Sequence, residues 1–257
     1  MRSIELNPTE YRDFFLSPKA YQLAYDEARK FPKNGPPDVF LLNLYRHMME
    51  CADKMAGLVR TEMSTPQTVC REGCDFCCRK PDFRITLPEL LAIEDYTRTR
   101  HPSSSLGGML KQAGRIASQL VDGVFQEGTA YHWHCPFLSE QRRCGVYPVR
   151  PISCRGYASF ELTDCIECCR EGREPIHIQH DPARNVYRLH FEVAVDWNQF
   201  RLYETFRLAL EKVLQERGFR EGSWPFPEAM EAMLRRLVDE RPSRGSQVES
   251  HSRVASG

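Results

Sequence analysis

Cys70-Arg71-Glu72-Gly73-Cys74-Asp75-Phe76-Cys77-Cys78 places four thiols within nine residues. The spacing is C-x3-C-x2-C-C, and cysteines two to four residues apart can turn their sulfurs toward one ion. Gly73 eases that turn, because glycine tolerates a left-handed backbone. Cys77 and Cys78 are adjacent, so their side chains diverge. One of them can serve a second ion, bridge two ions, or act by hydrogen bonding.

Working outward, ten of the eleven cysteines lie between Cys70 and Cys169. That local density reaches the ~8–10% of disulfide scaffolds. The chain is long, however, its cysteine count is odd, and its N-terminal stretch has no apolar run of the kind a secretory signal carries. Free thiols of a reducing, cytoplasmic compartment are therefore expected, and a cluster of them points to metal. A second group comprises Cys135-Pro136-Phe137-Leu138, Cys144-Gly145-Val146-Tyr147 and Arg150-Pro151-Ile152-Ser153-Cys154-Arg155. A third, Cys165-Ile166-Glu167-Cys168-Cys169, repeats the C-x2-C-C arrangement of Cys74, Cys77 and Cys78. Ten thiols exceed the four that close one zinc or one [4Fe–4S] site. Arg142, Arg143, Arg150 and Arg155 can offset the negative charge of coordinated thiolates. His132 and His134, beside Cys135, are read as structural, as is solvated His190.

Composition bounds the rest. With 257 residues, 41% hydrophobic and 27% charged, the chain is of ordinary globular type. Its 35 basic residues balance 35 acidic ones, leaving no global field to attract nucleic acid or an anionic membrane. No apolar run approaches the roughly 18 residues that span a bilayer. Metal is the expected partner.

The predicted fold is α+β and predominantly helical, a cysteine-rich metal module flanked by helices with a small β-hairpin. Residues 1–65 form an N-terminal helical segment, with a helix from Asp38, its N-cap, to about Met63. Leu41, Leu44, Met48, Cys51, Met55 and Leu58 line its buried stripe, which places Cys51 in the core and outside the site. Residues 66–172 form the cysteine-cluster module. Within it Thr86-Leu87-Pro88-Glu89 is a capping box that opens a helix to about Arg100. A further helix starts at Ser103–Ser105 and runs through Leu120 and Val124 to Gly128. Residues 173–240 hold a strand from Val186 to Trp197, its partner at Ile176-His177-Ile178, a helix from Asn198 to Arg217 stopped by Gly218, and a last helix from Pro227 to about Glu240. Residues 241–257 are a disordered tail.

The first group, followed by Cys-Pro-Phe-Leu, Cys-x-x-Tyr and Arg-Pro-x-x-Cys-Arg, resembles the YkgJ-type cysteine-cluster proteins, which are described as zinc- or iron-chelating. The resemblance covers Cys70 to Tyr157. It implies metal ligation by Cys70, Cys74, Cys77, Cys78, Cys135, Cys144 and Cys154, while Cys165, Cys168 and Cys169 lie outside the pattern as further candidates. Zinc and an iron–sulfur cluster both suit soft thiolates, and the dispersal of the ligands tilts toward iron–sulfur. The expected role is structural, storage or redox sensing. An iron–sulfur enzyme is the alternative: Cys70, Cys74 and Cys77 have the C-x3-C-x-aromatic-C form of radical S-adenosylmethionine enzymes, and the flagellin lysine-N-methylases carry a similar cluster, so methyl transfer or oxidoreduction enters. A zinc-dependent nucleic-acid-binding role would need a basic face built from Arg142, Arg143, Arg150 and Arg155.

Overall fold

The computed structural model describes residues 2–7, 9–10, 16–62, 68–70, 73–79, 83–121, 124–125, 134–171, 176–181, 183–191, 196–220 and 222–240. The expected tail, Gly128, His132, Val193 and Val195 lie outside them.

Helices dominate. In chain order the described elements are β1 (Arg2–Leu6), α1 (Pro18–Lys30), α2 (Pro37–Glu62), β2 (Arg84–Thr86), α3 (Leu87–Arg100), α4 (Ser103–Ala117), β3 (Leu120–Val121), β4 (Val124–Phe125), α5 (Ile152–Gly156), α6 (Leu162–Glu171), β5 (Ile176–Asp181), β6 (Val186–Phe191), α7 (Trp197–Glu216), β7 (Ser223–Pro225) and α8 (Phe226–Asp239). α1 and α2 pack together and against α7, α2 also meets α3, and α4 lies along α8. In α1 the buried residues are Ala20, Ala24 and Ala28, one every turn, a smooth face for close approach.

α3 has the predicted bounds. The Thr86 N–H and hydroxyl both donate to Glu89 Oε2, at 2.8 and 2.6 Å. The predicted hairpin also forms, Ile176 to Asp181 pairing antiparallel with Phe191 to Val186. β1 adds a third strand on the other side of β6, with Arg2 opposite Phe191 and Leu6 opposite Tyr187. Residues 1–65 are therefore not wholly helical. Ile4 and Leu6 alternate with Ser3 and Glu5 as a strand does, but the partner of β1 lies more than 180 residues away.

Other differences have local causes. Asp38 sits inside the first turn of α2, because Pro37 already has the backbone angle of a first helical residue. α4 ends at Ala117, and Leu120 and Val124 fall in the short antiparallel pair β3–β4 instead of on the helix. Trp197 begins α7 and does not end the strand, since the Asp196 carboxylate caps the helix by accepting from the Gln199 N–H at 3.0 Å. Leu58 is 60% exposed, although it continues the Leu41–Met55 spacing. That spacing averages 3.5 residues per turn and a straight helix has 3.6, so the stripe drifts by about 20° per heptad. Tyr45, Met49, Ala52 and Ala56 take its place in the core, and Cys51 and Met55 are left at the edge.

The short pair β2–β7 places the starts of α3 and α8 side by side, with Phe226 N–H donating to Phe83 O at 2.9 Å. Phe137, from the cysteine-rich segment, packs its ring 6.5 Å from that of Phe226. One continuous core then joins α1, α2, α3, α4, α7 and α8 to Phe137, Val146, Val149 and Ile152.

Candidate metal centre

The first cysteine group is a turn. Gly73 has φ of +84°, a conformation L side chains rarely adopt, and it bends the chain just before Cys74. Cys78 N–H then donates to Asp75 O at 3.0 Å, and Cys77–Arg79 closes as one 3-10 turn. Cys74 and Cys78 are half-buried and Cys70 is exposed.

Backbone hydrogen bonds fasten the second group to the first. Cys135 N–H donates to Cys78 O at 2.8 Å. From there the chain makes a tight loop: Leu138 bridges Cys144, and Gly145 N–H donates to Phe137 O at 2.8 Å. Cys135 and Cys144 thus sit at the base of one loop, half-buried against the core. Gly145 has no room for a side chain. A Cβ there would lie 2.8 Å from His101 Cε1, and the His101 Nε2 is held 2.9 Å from Gly145 O.

At the loop tip Arg142 adopts φ of 60° and reaches back to Asp75, which is 2% exposed. Its guanidinium contacts Asp75 Oδ1, and Arg79 contacts Oδ2 at 3.3 Å. Both guanidiniums lie over the Phe76 ring, at 5.6 and 5.5 Å. Burial would raise the Asp75 carboxyl, but the two arginines outweigh it and hold it below its usual value. Arg142 also lies within electrostatic range of Cys74.

Cys154 lies on α5. The N-terminus of that short helix is fixed by Glu89, whose Oε1 accepts from Ile152 N–H at 2.8 Å while Oε2 caps α3. Just beyond α5, buried Ser159 accepts from Val69 N–H at 2.9 Å and donates its own N–H to Cys70 Sγ at 3.4 Å. Backbone N–H donation to a sulfur favours its thiolate form and tunes a bound metal. The structure therefore ties the Cys70 end to the α5 segment and the Cys78 end to the Cys135–Cys144 loop. The side chain of Cys77 lies outside the described residues.

Cys165, Cys168 and Cys169 sit on α6 and not on a turn, so the shared C-x2-C-C spacing has two different local conformations. Cys168 is 2% exposed, among Tyr157, Cys165, Trp197 and Phe200. His134 is exposed.

Arg155 is 5% exposed and has a carboxylate partner of its own. Its Nη1 donates to both Asp53 oxygens at 3.0 and 2.7 Å, and Tyr203 donates to the same carboxylate. These residues, with Tyr147, Pro148 and Arg150, line a cavity of about 350 Å3. Of the four arginines, Arg155 is paired with Asp53, and Arg142 shares the single carboxylate of Asp75 with Arg79. Asp53, Asp75 and Glu89 were not candidates from sequence.

The cysteine-bearing segments, fastened to one another by these backbone contacts, invite comparison with known families. Residues 69–164 match the CxxCxxCC family model. Its description is "Putative zinc- or iron-chelating domain". The match takes in somewhat more than a third of the chain, and within it fall all seven cysteines from Cys70 to Cys154. No curated protein and no solved structure matches the chain. Among the described residues no helix is long and apolar enough to cross a membrane.

Proposed function

We propose that the CxxCxxCC domain holds zinc or iron through Cys70, Cys74, Cys77, Cys78, Cys135, Cys144 and Cys154, and that the metal acts structurally by cross-linking the Cys70–Cys78 turn to the Cys135–Cys144 loop and α5. The observation that carries the reading is the Cys78–Cys135 backbone hydrogen bond, which joins two thiol-bearing segments far apart in sequence. The hydrogen bond to Cys70 Sγ and the Arg142 guanidinium near Cys74 support it, since each favours a thiolate. All-thiolate donor sets suit zinc and iron–sulfur centres and not magnesium or calcium. A reducing compartment such as the cytoplasm would keep these thiols available.

The test is metal analysis of protein purified without oxygen, with its ultraviolet–visible spectrum. Iron with acid-labile sulfide and broad visible absorption would identify an iron–sulfur centre; a colourless protein whose zinc is lost in Cys74→Ser or Cys144→Ser would identify a zinc one. Replacing Cys74 or Cys144 by Ser should lower the metal content. Metal-free protein, or content unchanged in both variants, would overturn the assignment.

A further inference from the structure

A second constellation of metal-ligating side chains lies outside residues 69–164, where the end of α1 meets α2. His47 and Cys51 are one turn apart on α2 and so share a face. Glu27 approaches from the last turn of α1. Glu27 Oε2 is 3.4 Å from His47 Nε2, and Cys51 Sγ is 3.8 Å from the same nitrogen. The three ligand atoms all lie within 4.8 Å of one another.

The Glu27–His47 separation is longer than a direct charge-assisted contact, and both separations suit a shared ion. A charge-assisted imidazole–carboxylate hydrogen bond is about 2.7–2.9 Å long. Around tetrahedral zinc, bonds of about 2.0–2.1 Å to nitrogen and oxygen and 2.3 Å to sulfur set the N···O edge near 3.3 Å and the N···S edge near 3.6 Å. Both measured edges agree to within a few tenths of an ångström.

The surroundings are compatible with such an ion. The other oxygen of Glu27 faces Lys30 Nζ at 3.6 Å, which leaves Oε2 for the site. The Phe31 ring packs beside the imidazole, with centroids 5.2 Å apart. Glu27 and His47 keep 44% and 33% of their side-chain surface, so an ion and a water can enter. A thiolate–imidazole–carboxylate set is wrong for magnesium or calcium and fits zinc.

We propose that Glu27, His47 and Cys51 bind one Zn2+ whose fourth position is taken by water, at a site independent of the cysteine cluster. Zinc binds the Cys51 thiolate, so the thiol proton leaves for solvent as the ion enters. Three protein ligands and one open position make this the kind of zinc site that can accept an exogenous ligand.

The probes are Zn2+ and Co2+, used with the full chain. Cobalt added to the parent and to the Cys74→Ser variant should develop thiolate-to-cobalt charge-transfer absorption. Cys51→Ser should lose the part of that absorption that comes from Cys51, together with one zinc ion per chain, while any absorption from the cysteine cluster stays. His47→Gln and the surface change Glu27→Gln should weaken zinc binding by about tenfold or more, a loss at least as large as that from removing a group that only hydrogen-bonds to a ligand. Circular dichroism verifies that each variant is folded, and Glu27→Gln, at a half-exposed position, keeps the test available if Cys51→Ser is not. Equal zinc content and affinity in the parent, His47→Gln and Glu27→Gln would overturn the proposal. If the cysteine cluster itself held no metal, the parent would still bind this one zinc ion, so the two assignments fail separately.

Discussion

Asp75 is almost fully buried yet held ionised, and the residues around it account for that. Breaking a fully buried pair leaves an uncompensated charge worth several kcal/mol. Arg142 and Arg79 are partly exposed, so solvent screens the loss here. Asp75→Asn should therefore cost about 1–3 kcal/mol at neutral pH, as for hydrogen bonds to charged groups. The folded carboxyl lies below its usual value of 3.8, so its stabilisation is present above that pH and is lost as the pH falls through the folded value. Denaturant titrations should show the gap between parent and Asp75→Asn closing in acid; a gap constant with pH would contradict the ion pair. At Gly145 the constraint is space. Gly145→Ala forces His101 aside and presses on Phe137 O, an overpacking cost of about 1–3 kcal/mol. Removing the imidazole as well, in the Gly145→Ala/His101→Ala pair, should cost less than the sum of the single changes.

At the scale of elements, one carboxylate starts two helices. Glu89 is 2% exposed and accepts hydrogen bonds from Thr86 at the head of α3 and from Ile152 at the head of α5. Burial raises its pKa, and the hydrogen bonds from Thr86 and Ile152 counter only part of that. Glu89→Ala would remove the cap and orphan a buried N–H, for about 2–4 kcal/mol together. Thermal melts measure the loss, and a drop in bound metal would show that α5, with Cys154, has shifted. The capping box was legible because its parts lie within one turn. The second role of Glu89 was not, because Ile152 is 63 residues away. Trp197 misled for a related reason: an apolar residue in step with the strand alternation carries no sign that Asp196 has already capped a helix.

Across the whole molecule, the cysteine-bearing segments and the flanking helices share one core, through Phe137, Val146, Val149 and Ile152. If the metal is structural, its binding free energy is part of the folding free energy. Stripping it with a chelator should then lower the melting temperature of the entire chain in a single calorimetric transition. A metal-dependent transition separate from a metal-independent one would mean that residues 66–172 fold apart from the helices.

The helical class, the bounds of α3, the β5–β6 hairpin and the ordered cysteine set were legible along the chain. Each rests on periodicity, capping or spacing that acts over a few residues. Packing alone set that Arg142 answers Asp75, that β1 closes on β6, and that Glu27 of α1 meets the face of α2 carrying His47 and Cys51. Those pairings depend on which faces the packed helices present to one another, and a drift of 0.1 residue per turn, invisible in local pattern, is enough to change the face.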